Sequence, residues 1–163
     1  MRDSTSFVPA SELKRHYVVR GHFYNVPLPS ELVECRSVLD ITLSAGAESG
    51  VNAMLPDAVF VMMNPGSSKP LEGTVADIQR DDFPILRKKL VLTKPDTTQY
   101  QLMRVMSFLQ WGYVRVLNLS DLRNPQSSEF IDQFQSLESR DQFFAHSIFA
   151  DQRSKELSAA MTR

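Results

Sequence analysis

Residues 58–70 of the chain read AVFVMMNPGSSKP, and this stretch decides the fold class. Its first six residues are apolar without interruption, which is typical of a strand covered by helices on both faces of an α/β sheet. The apolar run stops at Asn64-Pro65-Gly66, where proline fixes φ and glycine accepts positive φ, so a tight turn is predicted. The sequence therefore predicts an α/β protein in which polar residues directly follow a buried strand.

The chain downstream of this stretch supplies the rest of a βαβ unit. Apolar side chains recur at helical spacing from Asp96 or Thr97, either of which can serve as the N-cap, to Gly112, which supplies the C-terminal stop. Residues 113–119, YVRVLNL, then predict a second buried strand. The order strand, helix, strand predicts a parallel pair of strands with a right-handed connection.

The remaining segments predict two strands, which we expect to pair antiparallel at an edge of the sheet, and two further helices. A long irregular loop over residues 69–95 is expected to hold one short helix around residues 78–89. Loops of this length tend to be functional lids or disordered segments. The strands are predicted at residues 16–26 and 36–44. Ser127 or Ser128 is predicted to cap one helix, and the other is predicted from about residue 151 to residue 162.

Together these elements predict a single α/β domain over residues 17–163, with a small mixed sheet whose parallel core is flanked by helices. Residues 1–16 are predicted to be a polar N-terminal arm with a short helical turn near residues 11–15. The chain ends on a helix, where a doubly wound sheet would normally continue into another parallel strand. Either the sheet is small or the chain stops short of its last elements.

The composition narrows the classes of function. A net charge of −1 over 163 residues gives no overall attraction to nucleic acid or anionic membranes, although a local basic patch remains compatible with it. Cys35 is the only cysteine, which excludes an intramolecular disulfide and a cysteine-rich zinc site. The histidines have no ligand spacing, so we expect no metal site and no cofactor. With no apolar run long enough for a membrane span, a cytoplasmic protein is expected.

Polar residues follow both predicted parallel strands at their carboxyl ends, where ligands bind in open α/β sheets. The backbone N–H groups of residues 66–68 could form an anion-binding nest, and Asn64 could orient a water molecule or bind a base edge. The candidate ligand-binding residues are Pro65, Gly66, Ser67, Ser68, Asn118, Asp121 and Arg123, with Asn64 as the candidate catalytic residue.

Each of these candidates also has a purely structural interpretation. Asn64-Pro65-Gly66 is a common turn sequence that needs no ligand. Asn118 could satisfy the backbone of a turn, and Asp121 and Arg123 could form a solvated ion pair. Which interpretation holds depends on whether Asn64 and Arg123 line one pocket or point apart in the fold.

Two segments resemble a known family. VFVMMNPGSS and PDTTQYQLMRVMSFLQWGYVRVLNLSDLRNP are similar to the DUF1643 family of uncharacterised bacterial proteins. That family has a strand ending Met-x-Asn-Pro-Ser, a helix preceded by Asp-Pro-Thr, a Trp-Gly-Tyr step, and a strand ending Asn-Leu-x-x-Leu-Arg. The resemblance spans about residues 36–140, and it brings no settled biochemical activity. The corresponding motifs lie at residues 62–65, 95–97, 111–113 and 118–123.

MNPGSS is also similar to the G-x-N-P-G-x-S motif of the mismatch-specific uracil/thymine DNA glycosylases. This second resemblance implies a uracil-DNA-glycosylase-like three-layer fold that may lack its C-terminal elements. It also implies that Asn64 positions the attacking water while Pro65 and Gly66 shape the pocket. Two functions therefore stay open. One is a nucleotide- or nucleic-acid-binding protein with a glycosylase-like pocket, and the other is a non-enzymatic binding or protein-interaction module on the same fold.

Overall fold

A mixed sheet forms the centre of the computed structural model, which describes residues 7–46, 55–85 and 87–162. The described residues form seven strands and four α-helices. The strands are β1 (Tyr17–Pro27), β2 (Leu32–Leu43), β3 (Ala58–Met62), β4 (Lys69–Pro70), β5 (Ala76–Asp77), β6 (Val91–Lys94) and β7 (Tyr113–Asn118). The helices are α1 (Ala10–His16), α2 (Thr97–Leu109), α3 (Ser127–Ser139) and α4 (Ser154–Thr162).

The strands lie in the order β3-β7-β2-β1-β6-β4, and the short β5 pairs with β1. The predicted parallel pair is confirmed, because β3 and β7 run parallel from Ala58↔Val114 to Met62↔Asn118. The predicted antiparallel pairing of β1 with β2 is also confirmed. The prediction that this pair lies at an edge of the sheet is wrong, because β7 pairs with the other side of β2 and β6 pairs with the other side of β1.

Helices α1 and α2 cover one face of the sheet. Their buried side chains Leu13 and Met103 pack in one apolar cluster with Leu39 of β2 and Val116 of β7. Asp96 is the N-cap of α2, and its side chain accepts a hydrogen bond from the Gln99 N–H at 3.0 Å. The helical turn expected near residues 11–15 is observed as α1, and the N-cap expected for α2 is confirmed.

Helices α3 and α4 cover the opposite face. Since side chains alternate along a strand, Val38 and Leu117 point away from the α2 face, and they pack with Ala160 of α4. A neighbouring cluster joins Tyr24 of β1 to Phe130 of α3. None of the helices among the described residues is long and apolar enough to cross a membrane.

Strand β3 has apolar partners on both faces, as its sequence predicts. Phe60 packs against the α2 cluster and Val59 packs against the α4 cluster. β3 is nevertheless the outermost strand in the sheet order, and Val61 is 48% exposed. An uninterrupted apolar run therefore marks a strand between two helical layers here, without placing it in the middle of the sheet.

The prediction of a helix around residues 78–89 is wrong. The only helical structure among the described residues of this segment is a 3-10 turn at Arg80–Asp82, and strands β4, β5 and β6 lie around it. The following residue, Phe83, has extended backbone and precedes Pro84. Proline has no N–H to donate and disfavours helical backbone in the residue before it, so a helix cannot continue through this point.

The helix ends differ from the sequence prediction in two places. α2 ends at Leu109 and is followed by Gln110 in the left-handed conformation (φ 59°), so the helix stops before Gly112, the residue that is predicted to supply the C-terminal stop. α3 begins at Ser127, but no side-chain hydrogen bond caps it; the Gln126 N–H instead donates to Asn124 Oδ1 at 2.9 Å. Both helices therefore begin or end through bonds and conformations that the residue types alone do not specify.

Candidate ligand site at the strand ends

The carboxyl ends of β3 and β7 lie side by side. Met62 pairs with Asn118, and beyond the strands the Leu119 N–H donates to Met62 O at 2.7 Å. The Ser120 N–H donates to Met63 O at 3.2 Å, so the two chains continue together into their turns. The pairing therefore brings the turn that starts at residue 64 next to the segment that follows Asn118.

The Asn64-Pro65-Gly66 turn is fixed to the segment that follows β7. Asn64 Nδ2 donates to the backbone oxygen of Asn124 at 2.6 Å, which leaves the side-chain oxygen of Asn64 for other contacts. Gly66 has φ of +64°, the left-handed conformation that the Pro-Gly sequence predicts. Pro65 is buried, whereas Ser67 is exposed. Asn64 thus has a structural role at this turn through its amide N–H.

Arg123 connects the same two segments through its guanidinium. Its Nε donates to the backbone oxygen of Ser68 at 2.9 Å, and its Nη1 lies 3.0 Å from Glu34 Oε2. The guanidinium also stacks over the ring of Phe23, 5.5 Å from its centroid. The partner of Arg123 is therefore Glu34, and the expected alternative of a solvated pair with Asp121 is not what the fold contains.

Asp121 belongs to a buried ion network rather than to the solvated surface. Its Oδ2 accepts hydrogen bonds from Tyr24 Oη at 2.7 Å and from Arg153 Nη1 at 2.6 Å. Arg153 also donates to both carboxylate oxygens of Glu156, and Lys88 Nζ lies 2.7 Å from Glu156 Oε1. Burial raises the pKa of Asp121, and the Arg153 charge opposes that rise. One oxygen of the Asp121 carboxylate, Oδ2, therefore binds the arginine that holds α4 on the sheet.

A polar layer closes the apolar core on the α2 face at the strand ends. Val114 and Val116 point into the α2 cluster, so alternation places Asn118 next on the same face. The register Leu39↔Val116 puts Arg36 close to the same level on β2. This polar layer consists of Arg36, Ser68, Asp96, Asn118 and Arg123. It therefore contains two guanidiniums, one carboxylate, one amide and one hydroxyl.

Contacts and electrostatics connect the members of the polar layer. A Cβ added to Gly66 would lie 3.7 Å from Asp96 Oδ2, so the turn reaches the N-terminus of α2. Burial lowers the pKa of Arg36 to about 10, while the Asp96 carboxylate raises it and the Arg123 charge lowers it. The N-terminus of a helix carries partial positive charge. Arg36 therefore remains a cation at neutral pH, in surroundings that favour an anion.

Several buried polar atoms of the layer have no hydrogen-bond partner among the described residues. They are Nε and Nη1 of Arg36, both side-chain atoms of Asn118, and Oγ of Ser68. Arg36 is 2% exposed and Asn118 is 0% exposed. Leaving a buried polar group without a hydrogen-bond partner costs about 1–3 kcal/mol, so each such group calls for an explanation, and a bound ligand is one.

Arg36 and Asp96 are the members of the polar layer that were not among the candidate site residues; Asp96 was predicted only as a helix cap, and Arg36 was not predicted at all. The predicted strand began at residue 36, where an arginine is expected to point into solvent. In the structure β2 begins at Leu32, so Arg36 lies inside the strand, opposite Phe23 of β1 and next to a β-bulge. Val33 and Cys35, two apolar residues at alternate positions, are the sequence signal that the strand starts earlier.

A second set of polar contacts, from Ser120 to His146 and Glu138, looks like an acid–base relay, but its hydroxyl and its imidazole are enclosed. Ser120 Oγ and His146 Nδ1 are 2.9 Å apart, and His146 Nε2 lies 3.4 Å from Glu138 Oε1. Ser120 and His146 are fully buried, and the Leu122 N–H donates to Ser120 Oγ. Burial lowers the pKa of His146, which keeps the ring neutral. This set of contacts therefore stabilises the segment after β7.

No group of three or more His, Cys, Asp or Glu side chains in the described part of the chain could hold a metal ion. No protein-family model, curated protein or solved structure matches the chain. Fold and site together define an α/β protein with a mixed open sheet, four helices among its described residues, and a polar layer at the carboxyl ends of a parallel strand pair.

Proposed function

We propose that the protein binds a nucleotide, either free or as part of a nucleic acid, at the polar layer. The observation that carries the proposal is the amide of Asn118, whose Nδ2 and Oδ1 are both buried without a partner among the residues described. An amide presents one donor and one acceptor side by side, which matches the edge of a nucleobase. The similarity of MNPGSS to the glycosylase motif points to the same ligand class.

The geometry of Asn64 bears on whether the bound nucleotide would also react. In a glycosylase-like mechanism the side-chain oxygen of Asn64 would orient a water molecule toward the sugar carbon. Its amide N–H is already engaged by Asn124 O at 2.6 Å, which would hold that oxygen in a fixed direction. The same bond is also compatible with the second candidate function, a binding module of the same fold without chemistry, because the bond accounts for an asparagine at this turn without any reaction.

Binding at Asn118 requires local movement. The amide is fully buried, so a ligand can reach it only after neighbouring residues move apart. The turn at residues 64–66 and the segment after β7 are the nearest candidates, since they meet through the bonds of Asn64 and Arg123. We therefore expect nucleotide binding to change the exposure of this turn to hydrogen exchange.

Binding is tested with nucleosides, nucleoside monophosphates and labelled oligonucleotides, single- and double-stranded, at low salt. We expect the wild-type protein to bind and Asn118→Leu to bind about tenfold more weakly or worse, since a bidentate base contact contributes about 1–3 kcal/mol. Thr42→Val is the matched control, because Thr42 Oγ1 is also buried without a described partner but lies near the other end of β2. Equal affinities for wild type and Asn118→Leu would refute the assignment.

Catalysis is tested separately with oligonucleotides that carry uracil or a G·T mismatch. Abasic sites are detected by alkaline strand cleavage after incubation with wild type or Asn64→Ala. Cleavage by the wild type alone would establish a glycosylase whose water is placed by Asn64. Binding without cleavage in either protein would support the non-enzymatic module, and absence of both would remove nucleic acid from the candidate ligands.

A further inference from the structure

Arg36 is a buried cation whose hydrogen-bonding capacity is largely unused. The residue is 2% exposed, and its Nε and Nη1 have no partner among the described residues. Its backbone N–H donates to Asp121 O at 2.7 Å, which fixes the strand but not the side chain. Buried arginines are ordinarily paired with carboxylates through several donors, as Arg153 is in the same protein.

The groups around Arg36 are suited to an anion. The carboxylates of Asp96 and Asp121 raise the pKa of Arg36, and Arg123 is a second nearby cation. Asp96 caps the 13-residue helix α2, whose N-terminus faces the Gly66 turn. Ser68 Oγ is buried without a partner in the described residues, and its backbone oxygen is bound to Arg123. Two guanidiniums, a hydroxyl and a helix N-terminus thus lie near one another, and because Glu34 pairs with Arg123, the Nε and Nη1 donors of Arg36 are the ones left without a hydrogen-bond partner among the described residues.

We propose that Arg36 is the subsite for an oxyanion, namely the phosphate group of the bound nucleotide, with Ser68 and the N-terminus of α2 as its other ligands. A guanidinium donates two parallel hydrogen bonds to a phosphate, and helix N-termini bind phosphate through their backbone N–H groups. The inference rests on the proposed function and deepens it, because it assigns the phosphate to Arg36 and leaves the base to Asn118.

The test compares each nucleoside 5′-monophosphate with its nucleoside, and adds inorganic phosphate as a probe by itself. In the wild type we expect the monophosphate to bind about 10- to 100-fold more tightly than the nucleoside. Inorganic phosphate should raise the thermal midpoint of unfolding. In Arg36→Met the monophosphate should bind no more tightly than the nucleoside, while nucleoside affinity is retained. Arg104→Met is the matched control, because Arg104 lies on α2 and binds Val8 O instead.

Unfolding without ligand gives an independent readout. If Arg36 is held unpaired for a ligand, replacing it with an apolar side chain of similar length should raise the urea midpoint of the free protein. A lowered midpoint or an unfolded Arg36→Met protein would overturn the inference, because it would make the guanidinium a structural group. Ser68→Ala should leave the midpoint unchanged or raised, and it should weaken phosphate binding.

The outcomes separate this inference from the proposed function. Equal affinity for nucleosides and monophosphates would refute the phosphate subsite and leave nucleotide binding standing. A second outcome is that inorganic phosphate stabilises the wild type but not Arg36→Met, while no nucleoside or nucleotide binds. That outcome would support the oxyanion subsite and refute the proposal that the ligand is a nucleotide. Absence of binding by all three probes would overturn both.

Discussion

His22 shows how one buried side chain links stability to pH. Its Nδ1 is 2.9 Å from Ser37 Oγ, and the residue is 7% exposed. Burial is the main cause that lowers the pKa of His22 from 6.5 to about 4, and the charges of Lys88 and Arg153 add to it. Glu156 acts in the opposite direction. The ring is therefore neutral in the folded protein at pH values where it is protonated in the unfolded chain.

We expect the wild type to lose about 3 kcal/mol of stability between pH 7 and pH 4 through His22 alone. As the pH falls below 6.5, His22 is protonated in the unfolded chain before it is protonated in the folded protein. The stability that neutral His22 contributes is therefore complete above pH 6.5 and is lost by about pH 4. His22→Gln removes the titrating group and keeps a donor and an acceptor for Ser37. Urea unfolding of both proteins at several pH values isolates the difference, and parallel curves for the two would show that His22 does not contribute.

At the scale of elements, the docking of α4 depends on one buried arginine. Arg153 immediately precedes α4, is fully buried, and donates to Asp121, Glu156 and the backbone oxygen of Ala145. Glu156 in turn accepts from the Ile85 N–H at 3.1 Å. The network therefore joins α4 to the end of β7 and to the segment before β6, which the apolar residues of α4 alone would not specify.

Arg153→Met should destabilise the protein by about 3–5 kcal/mol, since it leaves the carboxylates of Asp121 and Glu156 buried without their shared cation. Lys88→Met is the control, because Lys88 is partly exposed and Arg153 would still neutralise Glu156; we expect a loss of about 1 kcal/mol. Urea unfolding at pH 7 measures both changes. A loss for Arg153→Met no larger than that for Lys88→Met would contradict this role of the network.

At the scale of the whole molecule, local patterns predicted most of the long elements and two of their pairings, but they did not predict the order of the strands across the sheet. The capped helix α2 and the apolar strands β3 and β7 follow from periodicity and residue type within each segment. The place of the β1–β2 pair at the centre of the sheet depends on which distant strands join it, and a pattern within either strand carries no such information.

The candidate site, like the sheet, was predictable in part. Parallel pairing of β3 and β7 accounts for the approach of Asn64 to the segment after Asn118. Arg36 could not be found in this way, because its place in the polar layer follows from the register of β2 against β7 and from a bulge opposite β1. The ion network around Asp121 likewise forms between residues far apart in the chain.

The sheet order also sets the sequence in which strands can find partners during synthesis. The hairpin of β1 and β2 is made first, and β5, β6 and β7 each pair directly with it as they emerge. β3 and the two-residue β4 are different, because their neighbours among the described strands, β7 and β6, are made later by the ribosome. The run AVFVMM, with its high β-propensity and lack of charge, therefore has no strand partner when it leaves the ribosome and is a segment prone to misassociation.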